Sequence, residues 1–229
     1  MAENEDVFKQ VLSELHKHGA LESLVWVGSW CQLFYRHHFD YAPEISGVHT
    51  LDLDFMVRRS AKVKKEVNIP DILAGLGFEY EPNMLSGCSK YVHPDLEVEF
   101  LYPEIGRGKS GSYKIDELHI EAQGLRYLTL LQDHTIKIQH ENFVVTVPEP
   151  AAYVLHKYII SERRPPKLKH KKEKDLSAAT EIGNFLMEKP AQRKQLLKVF
   201  RSMPNRWQVD LKTILKRANP ALNEYLNKA

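Results

Sequence analysis

Apolar positions along this chain keep two rhythms, and the change from one to the other falls near residue 150. Before it, Val7, Val11, Leu12 and Leu15 recur at helical spacing and predict an amphipathic N-terminal helix. Leu24-Val25-Trp26-Val27 is a continuous apolar run that predicts a short buried strand over 24–28, followed at Trp30-Cys31-Gln32-Leu33-Phe34-Tyr35 by a helical pattern. Further strands are predicted near 50–57, 88–93 and 96–102, and a helix near 69–76 whose start is marked by Pro70 and Asp71. Residues 135–139 and 143–147 flank His140-Glu141-Asn142 as a short hairpin. Past Val147-Pro148-Glu149-Pro150 the pattern turns helical, over 151–161, 172–187, 191–201 and 207–217. The reading is a mixed α/β (α+β) sheet with flanking helices over 1–150, then a C-terminal helical domain over 151–229. Trp26, Trp30, Phe34 and Tyr35 are expected in the core, as is a face of the 207–217 helix carrying Trp207, Val209, Leu211, Ile214 and Leu215.

Two residues break the apolar run Thr50-Leu51-Asp52-Leu53-Asp54-Phe55-Met56-Val57. On an extended chain residues i and i+2 face the same way, so Asp52 and Asp54 project together while Leu51, Leu53 and Phe55 pack the other face. Like charges that close repel unless a cation sits between them, and magnesium or manganese are the hard ions that prefer carboxylate oxygen. A sheet with one solvated face also carries charges at i and i+2. The surroundings separate the two readings. Gly28-Ser29, between a strand and a helix start, is a turn type that offers backbone N–H groups to a phosphate. Leu96-Glu97-Val98-Glu99-Phe100-Leu101 is a second strand with two carboxylates on one face, either of which supplies a third ligand. Glu99, set between Val98 and Phe100-Leu101, is preferred to Glu97. Such a constellation suits two-metal phosphoryl or nucleotidyl transfer, and a metal-dependent phosphohydrolase would use the same carboxylates.

Apolar-Gly-Ser, a helix, apolar-Asp-apolar-Asp-apolar and a later carboxylate strand resemble the nucleotidyltransferase superfamily with the DNA polymerase beta-like catalytic fold. Within it, Gly28-Ser29-Trp30, Tyr35 and Leu51-Asp52-Leu53-Asp54-Phe55 are similar to stand-alone bacterial and archaeal nucleotidyltransferases, over about residues 24 to 102. His37 to His49, with Pro43 and Gly47, reads as an extra loop ahead of the aspartates. The resemblance implies that Gly28 and Ser29 hold the triphosphate of an incoming nucleotide. It also implies that Asp52, Asp54 and Glu99, or Glu97, bind two Mg2+ or Mn2+ ions, and that a nucleoside monophosphate passes from an NTP to an acceptor. A catalytically inactive member of the same fold, acting as a nucleotide- or RNA-binding or antitoxin-like module, is the alternative.

Composition sharpens the second half. The whole chain carries a net charge of +2. Residues 1–150, however, hold 14 Lys and Arg against 23 Asp and Glu, a balance of −9, and residues 151–229 hold 18 against 7, a balance of +11. An anionic partner for the helical half, such as an RNA acceptor, is the expectation from clustered cations; a solvated face is the plainer account of each single lysine. Lys157 stands in the apolar run Val154-Leu155-His156-Lys157-Tyr158-Ile159-Ile160, followed by Arg163, Arg164 and a lysine-rich stretch that ends at Lys174-Asp175. That layout is similar to the second domain of abortive-infection-type nucleotidyltransferase toxins, which implies that Lys157 meets nucleotide phosphates with Lys174 and Asp175 beside the site and Arg163 as a further candidate. The loop 104–111 adds Arg107 and Lys109 as possible substrate contacts, without Walker spacing. Gly124-Leu125-Arg126-Tyr127-Leu128 suggests no chemistry.

Other classes are disfavoured. No apolar stretch approaches the ~20 residues needed to span a bilayer, and the acidic start Met1–Asp6 lacks the layout of a signal peptide. Cys31 and Cys88 are too far apart for paired zinc-ligand spacing and read as reduced thiols of a cytosolic protein.

Overall fold

The computed structural model describes residues 2–46, 50–59, 66–83, 88–106 and 111–228, without the side chains of 2–5, 83 and 88. Helix α1 (Ala2–Lys17) buries Phe8, Val11, Leu12 and Leu15 along one stripe. Strand β1 (Leu24–Val27) is buried on both faces and leads through Gly28-Ser29 into α2 (Cys31–His38). Strand β2 (Asp52–Val57) buries Leu53 and Phe55 on one side, while Asp52 and Asp54 are half-buried on the other. Helix α3 (Ile69–Gly75) starts where the Asn68 side chain accepts from the Asp71 N–H at 3.2 Å, with Pro70 in the first turn.

A seven-stranded sheet follows from these and β3 (Glu79–Asn83), β4 (Cys88–Val92), β5 (Glu97–Pro103), β6 (Ser112–Ile115) and β7 (Ile120–Leu125). β5 is its centre. It runs parallel to β2 on one side; on the other it pairs antiparallel with β4 near its start and parallel with β7 near its end. β1 closes one edge on β2, β3 extends β4, and β6 extends β7. The short α4 (Leu128–Asp133) then leads to a separate hairpin of β8 (Thr135–His140) and β9 (Phe143–Pro148).

From Pro150 onward the described chain is helical: α5 (Pro150–Ser161), α6 (Lys169–Glu188), α7 (Pro190–Ser202), α8 (Asn205–Ala218) and α9 (Pro220–Lys228). α5 is apolar nearly all round, and α4, α6, α7 and α8 pack against it. The cores of the two halves are continuous: the Tyr35 hydroxyl donates to the Pro148 carbonyl at 2.8 Å, and Tyr35 and Tyr153 meet edge to face with ring centroids 5.4 Å apart. No described helix is long and apolar enough to cross a membrane.

Three local expectations need correction. Leu51 is 51% exposed, because β2 begins only at Asp52 and Leu51 sits on the bend ahead of it, where its carbonyl accepts from Glu97 N–H. His37 belongs to α2 rather than to the loop, which starts at Phe39 and packs Ala42 and Ile45 into the core; the Ser46 N–H donates to the Glu181 carboxylate on α6. Val209 is exposed on α8, while Leu211, Ile214 and Leu215 make the buried stripe and Trp207 meets Tyr127 at its edge.

Candidate active site

Strand register builds the floor of the site. Asp52 is level with Glu97, and Asp54 with Glu99, across the parallel β2–β5 pair. The two glutamates differ in their neighbours. The Lys90 ammonium on β4 reaches Glu97 at 3.0 Å and Glu81 at 3.5 Å. Glu97 is thereby compensated, whereas Asp52, Asp54 and Glu99 line a cleft of about 320 Å³, within the ~300–1,000 Å³ range usual for small-molecule sites. Among the described residues, none makes a hydrogen bond or ion pair to these three carboxylates. Burial pushes the Asp54 carboxyl above its ordinary range and the charge of Asp52 adds to the effect. Glu99 is raised in the same way, by burial first and then by Asp54 and Asp52.

Gly28 is what lets the turn approach this floor. Its φ is +70°, a conformation that costs an L side chain, and a Cβ there would lie 2.0 Å from Asp54 Oδ2. Gly28→Ala is therefore expected to add about 1–2 kcal/mol of backbone strain and to push the Asp54 carboxylate aside. A displacement near 1 Å can cost about 10²-fold in rate. Initial rates and thermal melting of the variant check both effects.

Helices α5 and α6 supply the facing wall. Lys157, Arg164, Lys171 and Lys174 all line the cleft opposite the carboxylates. Asp175, 3% exposed, binds two of them at once: Oδ1 accepts from Lys157 at 2.6 Å and Oδ2 from Arg164 at 2.9 Å. Burial opposes ionisation of Asp175, but the charges and hydrogen bonds of Lys157 and Arg164 outweigh it and hold the carboxyl below its usual range. Burial, with the Lys157 charge beside it, holds the Lys174 ammonium below the usual lysine range, against the pull of Asp52 and Asp175. One buried carboxylate thus fixes two cations, and the others crowd in without a full set of counter-charges. That arrangement suits a polyanion entering the cleft.

The family model for nucleotidyltransferases matches residues 7–199 of the chain. The chain belongs to the nucleotidyltransferase family. No curated protein matches it in sequence. Among solved structures, an antigenic nucleotidyltransferase-like protein from Paracoccidioides brasiliensis is similar in fold, with a TM-score of 0.52 at 13% identity, over 97% of this chain and 93% of that one. The mixed sheet with its flanking helices is thus a nucleotidyltransferase-like fold, and an NTP is the substrate that membership of the family implies.

In this nucleotidyltransferase the cleft gathers Gly28, Ser29, Asp52, Asp54 and Glu99 from the first half with Lys157, Lys174 and Asp175 from the second. Arg163 is placed elsewhere: it pairs with Asp210 at 2.7 Å and stacks on Tyr127, and its neighbour Arg164 turns into the cleft instead. Arg107 and Lys109 lie outside the described residues. Residues that sequence reading passed over also line the cleft, among them Gln123, Leu125, Leu128, Tyr153 and His156. Burial, with the neighbouring Lys157 charge, drives the His156 imidazole down to about 3, so it is neutral at physiological pH, and its Nε2 is buried without a hydrogen-bond partner. Gln123 and Leu125 belong to the period-2 alternation of Ile120–Leu125, the one signal that could have found them.

In donor chemistry the floor suits a divalent cation: Asp52, Asp54 and Glu99 carry hard oxygen atoms without hydrogen-bond partners among the described residues, and two of them have ionisation opposed by burial and by one another, the electrostatic setting a cation relieves. They are spread along two strands, and no three ligating side chains among the described residues close around a single point.

Proposed function

We propose that the cleft transfers a nucleoside monophosphate from an NTP to an acceptor hydroxyl with the help of divalent cations held by Asp52, Asp54 and Glu99. The observation that carries this reading is the opposition of three uncompensated carboxylates and a wall of four cations across one cleft. Bound there, Mg2+ or Mn2+ would neutralise phosphate charge and lower the pKa of the attacking hydroxyl. The chain's own part is positional. Gly28 and Ser29 present the turn to the triphosphate, Lys157 and Lys174 meet its oxygens, and Asp175 holds Lys157 and Arg164 in place. Arg164 and Lys171 add charge that favours the departing pyrophosphate.

In this reading the anion that answers the positive second half is the triphosphate. Four of its cations turn into the cleft, while others are already engaged, Arg163 with Asp210 and Lys172 with Glu162 at 2.9 Å. The triphosphate accounts for the charge that faces the site. Incubating the protein with each labelled NTP, Mg2+ or Mn2+ and total cell extract identifies the acceptor as RNA, protein or small molecule. Glu99→Gln is expected to lower labelling by about 10²–10³-fold, the loss typical when charge stabilisation of a transition state is removed. Glu97→Gln, whose carboxylate answers Lys90 and does not line the cleft, is expected to stay within about 3-fold of the original rate, since it removes no charge facing the phosphates. Equal activity of both variants would overturn the assignment.

A further inference from the structure

In strand register the Asp54–Glu99 pair is followed by the Leu101–Gln123 pair, so the sheet turns from carboxylates to uncharged groups within one step. Leu101, Leu125, Leu128, Leu131 and Ile160 give the cleft an apolar share of lining, of which Leu128 and Leu131 are only 3% and 2% exposed. Gln123 adds an uncharged amide beside it. Gln123 is level with Leu101 in the parallel β5–β7 pair, on the same side of the sheet as Glu99, and it lines the cleft. Its amide has no hydrogen-bond partner among the described residues. A partly buried amide that faces a cleft without a protein partner is open to bond whatever enters.

We infer that the apolar part of this cleft takes the nucleobase of the NTP and that Gln123 is the residue that selects among bases. The inference rests on the proposed nucleotidyl transfer, because that reading puts the triphosphate between the carboxylates and the cations. A base is tethered to its triphosphate through one ribose. With the phosphates between the carboxylate floor and the cation wall, the base falls in the apolar part of the cleft. A flat heterocycle gains there by leaving water, and only its polar edge needs an answer. A glutamine amide presents one donor group and one acceptor in a plane, the pairing that reads the edge of a base. Sites that hydrogen-bond a substrate edge discriminate far more strongly than apolar pockets that merely fit it, since a mismatched base leaves the amide unpaired.

The test measures binding, so that it stands apart from turnover. ATP, GTP, CTP and UTP are titrated calorimetrically into the original protein, Gln123→Leu and Gln123→Glu, each with Mg2+, and inorganic tripolyphosphate is titrated alongside. The original protein is expected to rank the four NTPs over at least about tenfold, the value of one good edge contact of ~1–3 kcal/mol. Gln123→Leu should compress that range to about 3-fold or less and leave tripolyphosphate affinity unchanged. Gln123→Glu keeps an acceptor and loses the donor, so it should shift the ranking toward GTP, ATP and CTP, whose bases offer an amino group, and away from UTP. Two outcomes overturn the inference: four NTPs bound equally by the original protein, or a ranking that survives both substitutions. A ranking present in binding with no transfer to any acceptor would instead sink the proposed reaction while leaving Gln123 its role.

Discussion

Asp54→Asn is expected to lower nucleotidyl transfer by about 10³-fold and, in protein stripped of divalent ions, to raise the melting temperature. The two effects have one cause. Metal-assisted charge stabilisation is worth several kcal/mol in the transition state, and each 1.36 kcal/mol is about tenfold in rate. The same carboxylate is a burden to the empty site, because burial and the neighbouring Asp52 both oppose its ionisation. A carboxyl raised in the folded state means that, between the ordinary carboxylate value and the raised one, the native protein binds more protons than the unfolded chain. Stability of the metal-free protein therefore falls as pH rises through that window, and Asp54→Asn removes its share of the loss. Each kcal/mol of relieved repulsion moves the melting temperature by about 2–4 °C in a domain of this size. Differential scanning in a chelator, at pH 4 and pH 8, should show the variant's advantage only at the higher pH, with Mg2+ stabilising the original protein more than the variant. Full activity, or a lower melting temperature at pH 8, would remove Asp54 from the metal role.

The paired aspartates were legible through their company. Alternation alone also fits a strand with one solvated face, and it was the Gly-Ser turn and the later carboxylate strand that singled the pair out; Leu53 and Phe55 are fully buried behind it. The Gly-Ser turn was legible by residue type alone, and the contact that makes Gly28 necessary, its closeness to Asp54, is a distance that sequence does not hold. Strand period left Glu97 and Glu99 on one face; what distinguishes them is Lys90, level with Glu99 in the antiparallel β4–β5 pair but with its ammonium turned to Glu97. Likewise Arg163 and Arg164 follow the end of α5, where no helical period fixes which one faces the cleft. Three strands went unread for local reasons. β3 contains Pro82 and four polar or charged neighbours, β6 is a four-residue edge strand, and β7 is interrupted by Gly124, whose place for a side chain is filled by the Tyr113 ring. Gln123 and Leu125 lie on that unread β7, so their part of the cleft wall escaped with it. Topology, rather than propensity, carries that part of the site.

Lys157→Met should cost more stability than any other single change at the site. The substitution keeps the length of the side chain and removes the ammonium that bonds Asp175 at 2.6 Å, leaving a carboxylate 3% exposed with Arg164 as its remaining charged partner. Removing one member of a buried pair costs about 3–5 kcal/mol, and the surviving Arg164 contact puts the expected loss near 3 kcal/mol, or about 6–12 °C in melting temperature. The sign with pH follows from Asp175. In the original protein its folded carboxyl is held below the ordinary range, so its contribution to stability is present above the ordinary carboxylate value and is lost as pH falls through the depressed one. The gap between Lys157→Met and the original protein should accordingly be widest near neutrality and close toward acid. Adding Asp175→Asn removes the poorly compensated charge, and the double variant is expected to regain more than half of the lost melting temperature. Transfer should not return with it. If Lys157 meets the triphosphate as proposed, the double variant keeps a raised KM for NTP and a flatter dependence on salt even when its fold is repaired. If KM recovers together with stability, Lys157 serves only to pack α5 against α6, and the phosphates must be met by Arg164, Lys171 and Lys174.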